Sequence, residues 1–423
     1  MKIGILSINA HTKVLNFASP LHTYAFWSFL KEHGIESTII DYKPVYYQDF
    51  DARHPLDYYK EHPKDDAKLQ KSLLEKWERL YQEREIRFDR FEEFIETYYH
   101  KTNQCYTAKL LQTEDPGFDC YICATDVIWK CGPKGNFDKG FLLKRRQLKG
   151  KKKIAYAASR GASEYSSEQA KIFFNSISDI DYLSVREKSL KEYIQKHSEL
   201  PVAHVLDPVF LREKDFYYNL AVSPKEKGYV LIYTVMAEAR PLVEMAVAFA
   251  AARNLKVIEL SENFQNANVP DGTYHPVLYG LGIEEWLGYM KDAEYIFTNS
   301  FHACCFSIIF GKQFFAGKRR GDKIGSLLDM FHLANRRVDE NELDKALRMP
   351  DTDFKEAESL RLQYVEESSS FLLNAIRDLE HSDHKNHKNL VHEDVFTKNE
   401  SAPDQKSGAQ EGRLKKMLRR LYK

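Results

Sequence analysis

Tyr295-Ile-Phe-Thr-Asn299-Ser300-Phe-His302-Ala-Cys-Cys-Phe-Ser-Ile-Ile-Phe-Gly311 reads as the end of a buried strand running straight into a helix. Tyr295–Thr298 is a short apolar run. Phe301–Phe310 is an apolar stretch closed by Gly311, the residue type that suits a helix C-terminus. Asn299 or Ser300 offers a side-chain oxygen to the N–H groups of the first turn, where His302 falls. Those N–H groups and the positive end of the helix dipole make the junction a place for an anion. A histidine there can donate to a phosphate or hand over a proton near neutral pH; its plainer use is as a structural first-turn residue.

A strand feeding a helix is half of a βα unit, and the pattern repeats on either side. Upstream lie a strand at Gly228–Tyr233, a helix at Arg240–Ala252, a strand at Lys256–Glu259 and a helix at Gly282–Lys291. A separate series opens the chain: a strand at Lys2–Ser7, a helix at Leu21–His33 closed by Gly34, and a strand at Glu36–Tyr42. It resumes with strands at Phe118–Ala124, Lys153–Ala158, Tyr182–Val185 and Ala203–Val205, and with helices at Ser167–Ile177 and Glu187–Gln195. Residues 65–112 interrupt this series as long, charged helices and read as an insertion over one face. The polar stretch Glu213–Lys227 separates the two series.

The expected architecture is α/β, two doubly wound Rossmann-like domains facing a cleft, over residues 1–212 and 213–345. Ligands are expected in the cleft, at the carboxyl ends of the strands. A helix over Phe354–Leu379, within 346–381, is expected to pack back on the body. Residues 382–423 read as a flexible linker with a basic amphipathic tail.

At 423 residues the chain fits two domains, and its 43% apolar content is enough to build their cores. The 62 basic and 62 acidic residues cancel, but six of the basic ones lie in Arg413–Lys423, which holds no acid. The remainder carries 56 basic against 62 acidic groups, an acidic body that argues against nucleic acid as a partner. In the tail, Leu414, Met417, Leu418 and Leu421 form a narrow apolar stripe, suited either to an anionic membrane surface or to a solvated end. No run approaches the ~18 apolar residues of a spanning helix, and the start of the chain turns polar at Ser7 and Asn9. A cytoplasmic protein is expected, peripheral on the inner face of the membrane if the tail binds there rather than staying solvated. Cys120 and Cys123 have CxxC spacing, yet they sit in an apolar run without a second pair, and buried thiols rather than a metal site are expected.

Other candidate residues also fall at or near strand ends. Gly317-Lys-Arg-Arg320-Gly-Asp-Lys323 puts four cations in seven residues, as a phosphorylated ligand would require and as many solvated loops also do. Arg186 follows Tyr182–Val185, where a guanidinium can clamp a carboxylate or phosphate, or merely pair with Glu187 or Asp181. Asp126 and Trp129 follow another strand; a carboxylate beside an indole suits a sugar face, although tryptophan is commoner in cores. Asp207-Pro208 closes a further strand and has the form of a turn. There is no G-x-G-x-x-G and no Walker lysine loop, which removes most support for nicotinamide and P-loop chemistry.

Taken in chain order, these segments resemble the polysaccharide pyruvyl transferase family. The matching stretches are Gly4-Ile-Leu, Asn16-Phe-Ala, Tyr24-Ala, Ala124-Thr-Asp-Val-Ile-Trp129, Ile154-Ala-Tyr-Ala-Ala-Ser159, Ser184-Val-Arg-Glu187 and Asp207-Pro208. Thr298-Asn-Ser-Phe-His-Ala303, Phe306-Ser-Ile-Ile-Phe310 and Lys323-Ile-Gly-Ser-Leu-Leu328 complete the set. The resemblance implies a fold like that of the B-type glycosyltransferases, with the second domain binding the donor. It also implies transfer of the enolpyruvyl unit of phosphoenolpyruvate to a sugar hydroxyl pair, as a ketal, in cell-surface or exopolysaccharide synthesis.

The family's donor-holding arginine, histidine and basic residue fall on Arg186, His302 and Lys323. Asn16, Asp126, Trp129, Asp207, Asn299, Ser300 and Arg320 are the further substrate-binding candidates. The implied partners are phosphoenolpyruvate and a glycan or lipid-linked glycan acceptor, with no cofactor or metal. The chain departs from the family pattern at Val127 and Lys130, where members often have Gln and Asn, and at Ala303, usually Gly. Its Asn16-Phe-Ala-Ser stands where Asn-Tyr-Gly-Ala is common. Two other readings stay open. One is a nucleotide-sugar glycosyltransferase, which would want an acid such as Glu259 or Glu262 at the end of the second sheet. The other is a non-catalytic glycan-assembly protein.

Overall fold

Strands that are apolar on both faces can pair stably only in the middle of a layered structure, with helices above and below. The computed structural model describes residues 1–8, 10, 15–44, 50–132, 136–161, 164–235, 240–260, 275, 277–318, 321, 323–339 and 342–397. Within it the strands are β1 (Ile3–Leu6), β2 (Ser37–Ile39), β3 (Tyr42–Lys43), β4 (Tyr106–Thr107), β5 (Cys120–Asp126), β6 (Lys152–Ala158), β7 (Tyr182–Val185) and β8 (Val202–His204). The second half adds β9 (Tyr229–Tyr233), β10 (Lys256–Glu259), β11 (Tyr295–Thr298), β12 (Gln313–Gly317) and β13 (Arg337–Val338).

They form a six-stranded sheet, β2-β1-β5-β6-β7-β8, and a five-stranded sheet, β10-β9-β11-β12-β13, with β3 and β4 as a separate pair. Every pairing between these strands is parallel. Each sheet is doubly wound: the chain goes one way from β1 to β2, then crosses back to lay down β5 to β8. The second half repeats this about β9. The switch points therefore lie between β1 and β5 and between β9 and β11, where a crevice opens beyond the strand ends. The expected fold is the one observed. β12 is the main strand the sequence reading passed over, because Phe-Phe-Ala is too short to show a period. Its presence makes Gly317 the end of a strand in the second sheet.

One hydrophobic cluster runs from the first sheet into the second through the helix Ala18–Glu32. Phe17 stacks on Trp286 with ring centroids 6.0 Å apart and meets Tyr233 at the same distance. The insertion is helical, as expected, with Ala67–Arg79 and Tyr81–Tyr98 as its main elements. It reaches further than one face of the first domain. Arg84 donates to Tyr279 Oη at 2.9 Å and Arg90 to the Gly280 carbonyl at 3.1 Å, both in the second half of the chain.

The helix Lys355–His381 buries Leu372, Ala375, Ile376 and Leu379, and its Ser368 Oγ accepts the Leu206 N–H at 3.0 Å. The linker expected from residue 382 is corrected over 384–397. His384 Nδ1 lies 3.1 Å from Asp181, Val391 pairs with Ser198, and Val391 and Val395 enter the first domain's second core cluster. Composition reports no such ion pairs or backbone bridges, so a polar stretch can look unstructured and still be held. The basic tail lies outside the described residues. Among those described, no helix is long and apolar enough to cross a membrane.

Gly288, in the helix Ile283–Asp292, faces the main chain of the segment joining the two halves. A Cβ there would stand 1.9 Å from the Val222 carbonyl oxygen, a clash with backbone that no rotamer relieves. Gly288→Ala is expected to cost about 1–3 kcal/mol. Scanning calorimetry should show the melting temperature falling; an unshifted melt would mean that the connecting segment moves aside freely.

Candidate active site

The carboxyl ends of β5, β7 and β8 and the segment after β11 supply the charged residues of one buried cluster. Asp126 is the last residue of β5 and has a φ of +63°, a left-handed conformation that aspartate tolerates better than most side chains. Its carbonyl accepts the N–H of Ser159 at 3.0 Å, and the neighbouring Thr125 Oγ1 donates to the Ala157 carbonyl at 2.8 Å. Arg186 comes straight after β7, with its N–H on the Ala158 carbonyl at 3.1 Å. Asp207 follows β8 and caps the short 3-10 helix Pro208–Leu211, its Oδ1 accepting from Val209 N–H at 3.2 Å. His302 is the second residue of the helix Phe301–Phe310, which Ser300 caps through the Ala303 N–H. Lys323 begins the helix Lys323–Met330.

Arg186 holds the cluster together. Its Nη1 donates to Asp207 at 2.5 Å and its Nη2 to Asp126 at 2.7 Å, while Nε lies 3.6 Å from Glu187. The guanidinium rests 4.3 Å from the centroid of the Phe301 ring. Lys323 Nζ reaches across from the second domain to 3.7 Å from Asp126 and 3.9 Å from Glu187. His302 Nε2 stands 3.4 Å from Asp207 Oδ2. Behind it the ring of His22, on the helix Ala18–Glu32, stacks on His302 at 5.6 Å between centroids. The side chains of Asp126 and Lys323 are 21% and 20% exposed, against 2% for Arg186, so their edge is where a ligand can enter.

Burial raises the Asp126 carboxyl, but Arg186 and then Lys323 outweigh it and hold the group well below the usual carboxylate range. Burial is likewise the largest influence on Asp207, and His302 with Arg186 overcomes it to keep that carboxylate ionised. Burial alone would lower the Arg186 guanidinium; Asp126 and Asp207 reverse this and raise it. His22 is the opposite case. Burial lowers its pKa to about 4, and the attraction of Asp207 only partly offsets that, so its imidazole is neutral near pH 7.

Of the residues picked out in the sequence, Arg186, His302, Lys323, Asp126 and Asp207 meet in this cluster. Asp207 thus combines the turn role read for its Asp-Pro with a place among the charged groups. Ser300 is the helix cap, and Asn299 Oδ1 accepts the Val235 N–H at 2.7 Å, tying the two switch-point strands' ends together. Asn16 Oδ1 accepts the Ala18 N–H at 3.1 Å, starting a helix. Trp129 is a correction: its indole is fully buried, donates to the Phe141 carbonyl at 3.2 Å and packs on Phe173, so it is a core residue. Arg320 lies outside the described residues, as does Glu262. Glu259 is buried and its Oε2 meets His275 Nε2 at 2.7 Å. His22 and Glu187 were missed as site residues. His22 gives no local signal beyond helical spacing, and Glu187 entered only as a surface partner for Arg186.

Two doubly wound parallel-sheet domains with a charged cluster between opposed strand ends define an α/β protein of the B-type glycosyltransferase architecture. The chain belongs to the polysaccharide pyruvyl transferase family, whose sequence model matches residues 21–316. No curated protein matches its sequence. Similar solved structures include the UDP-GlcNAc 2-epimerase of Neisseria meningitidis bound to UDP-GlcNAc, at 10% identity over 89% of this chain and 100% of that one, with a TM-score of 0.46. The N-terminal domain of Candida albicans trehalose-6-phosphate phosphatase gives 11%, 89%, 98% and 0.46. Acinetobacter baumannii MurG gives 9%, 89%, 99% and 0.40. At these values the likenesses say nothing about substrate.

A histidine kept neutral down to about pH 4 in the fold but titrating near 6.5 when unfolded makes the unfolded state bind more protons between those values. Stability should therefore fall as pH drops through that window, by about 3 kcal/mol in all. Urea melts of wild type and His22→Phe at pH 7, 6, 5 and 4 test this. The variant is expected to lose less stability than wild type by that amount. Parallel curves would overturn the neutral, buried imidazole.

Proposed function

We propose that this protein transfers the pyruvyl unit of phosphoenolpyruvate to a hydroxyl pair of a sugar in a cell-surface or exopolysaccharide precursor, forming a ketal and releasing phosphate. The observation that carries the reading is the convergence of Arg186, His302 and Lys323, from three distant parts of the chain, on one partly open cluster. These are the positions that match the family's donor-holding residues. A donor bearing a phosphate and a carboxylate needs fixed cations around it, and its vinyl carbon needs a proton before the sugar oxygen can complete its attack.

The cluster is no simple cationic socket, since Asp126, Glu187 and Asp207 surround Arg186 and Lys323. A donor anion would draw Lys323 from Asp126 and Glu187, both now beyond hydrogen-bond length. Asp207, 3.4 Å from His302 Nε2, would hold the ring in place beside a donor phosphate. His302 would then protonate the vinyl carbon, with Arg186 and Lys323 stabilising the charge that develops on the departing phosphate. Glu259, the acid that a nucleotide-sugar reading would call on, is already paired with His275. The acceptor would lie near Val127 and Lys130, where the chain departs from the family's usual residues. If the basic tail rests on an anionic membrane, the acceptor would be lipid-linked.

Calorimetric titration of phosphoenolpyruvate into wild type and Lys323→Met, with UDP-N-acetylglucosamine as comparison, tests the donor. Lys323→Met is expected to weaken binding at least tenfold, about 1.4 kcal/mol or more. Binding of the nucleotide sugar instead of phosphoenolpyruvate would replace this reading with the glycosyltransferase one. His302→Ala should stay folded by circular dichroism and lose about 10²–10⁴-fold in turnover. Near-full activity would remove the histidine from the mechanism. Truncation after residue 397, which spares the packed arm, should abolish sedimentation with phosphatidylglycerol vesicles; unchanged sedimentation would refute the membrane role of the tail.

A further inference from the structure

The three carboxylates of the cluster are not equivalent. Asp207 accepts from Arg186 and from the Val209 N–H, and Asp126 accepts from Arg186. Glu187 is 3% exposed at its side chain, and neither of its oxygens receives a hydrogen bond from any described residue. Among the described residues, the cations nearest it are Arg186 Nε at 3.6 Å and Lys323 Nζ at 3.9 Å, which offset its charge without filling its lone pairs. A buried carboxylate in that condition is costly unless it faces a ligand that brings the missing donor. That ligand is not the donor anion, which Glu187 would repel. A neutral hydroxyl fits.

We infer that Glu187 is the catalytic base that takes the proton of the attacking sugar hydroxyl, and that Lys323 covers it until the donor binds. The inference rests on the pyruvyl-transfer reading. Arg186 and Lys323, the cations proposed to hold the donor, are the two that flank Glu187, so a hydroxyl on its carboxylate lies beside the donor's reacting carbon. Lys323 belongs to the second domain and Glu187 to the first. Moving Lys323 onto the donor would thus uncover the base. The sugar O–H proton passes to Glu187 as its oxygen bonds to C2 of the enolpyruvyl group, and C3 takes a proton from the imidazolium of His302. The C2–O bond to phosphate then breaks with its electron pair on the phosphate. The second hydroxyl closes the ketal and returns its proton to His302, while the proton on Glu187 leaves with the phosphate.

Glu187→Gln keeps the shape and removes the base. It should bind phosphoenolpyruvate within about threefold of wild type by calorimetry. Phosphate release from phosphoenolpyruvate, with a panel of p-nitrophenyl hexosides as acceptors, should fall about 10²–10⁴-fold. In Glu187→Ala, added formate should restore part of the lost rate, a response that a purely structural carboxylate would not show. Turnover of Glu187→Gln within about threefold of wild type, loss of donor binding along with turnover, or an alanine variant indifferent to formate would each overturn the assignment. A wild-type protein that fails to bind phosphoenolpyruvate, or binds it and releases no phosphate with any hexoside, refutes the underlying transfer reading instead.

Discussion

Arg186 is shared among three carboxylates brought from three strand ends, and nearly everything at the cleft depends on that sharing. A guanidinium so deeply buried is stable only because Asp126 and Asp207 bond it directly and Glu187 lies close by. Conversely, the guanidinium helps to keep two of those carboxylates ionised under cover, with Lys323 at Asp126 and with His302, the larger influence, at Asp207. Removing one member of such a group exposes the rest to an uncompensated charge, a cost typically of about 3–5 kcal/mol. The cluster is therefore both a fastening for the first sheet's carboxyl edge and the place where chemistry can occur.

The two domains meet this cluster differently. The first domain supplies its rigid part through strand ends whose register is set by a continuous parallel ladder. Even the irregularity in β6, where Ala157 takes a φ of +50°, serves to bring Ala158 level with Val185 and so to fix Arg186. The second domain supplies His302 from the start of an apolar helix and Lys323 from the start of another. Lys323 reaches the first domain's acids across the cleft, 3.7 Å from Asp126 and 3.9 Å from Glu187. Phe17, Tyr233 and Trp286 keep the domains in apolar contact behind the cleft.

How much of this was legible in the chain follows from where each signal is stored. The strands and helices came out nearly residue for residue where apolar runs were bounded by glycine or polar breaks, as at Ser167–Ile177, Tyr182–Val185 and Phe301–Phe310. β12 and the packed arm after residue 382 did not, the first being too short for a period and the second held by contacts that composition does not record. Arg186, His302 and Lys323 could be named because each stands at a strand or helix end, and because their order matches a family. Trp129 shows the limit of the same grammar: a strand-end position does not say which way the indole turns, and it turns into the core.

The sequence by itself determined that the chain is a two-domain, doubly wound α/β protein of the polysaccharide pyruvyl transferase family, because apolar periodicity and short motifs are local properties. Only the tertiary structure decided that Asp126, Glu187 and Asp207 converge on one guanidinium, and that Glu187 is the one that receives no hydrogen bond from any described residue. It also decided that His22 lies against His302 as a neutral ring. Those facts depend on distances between residues as many as 280 positions apart, the separation of His22 and His302 in the chain. Burial and charge pairing are collective, and no single stretch of sequence holds them.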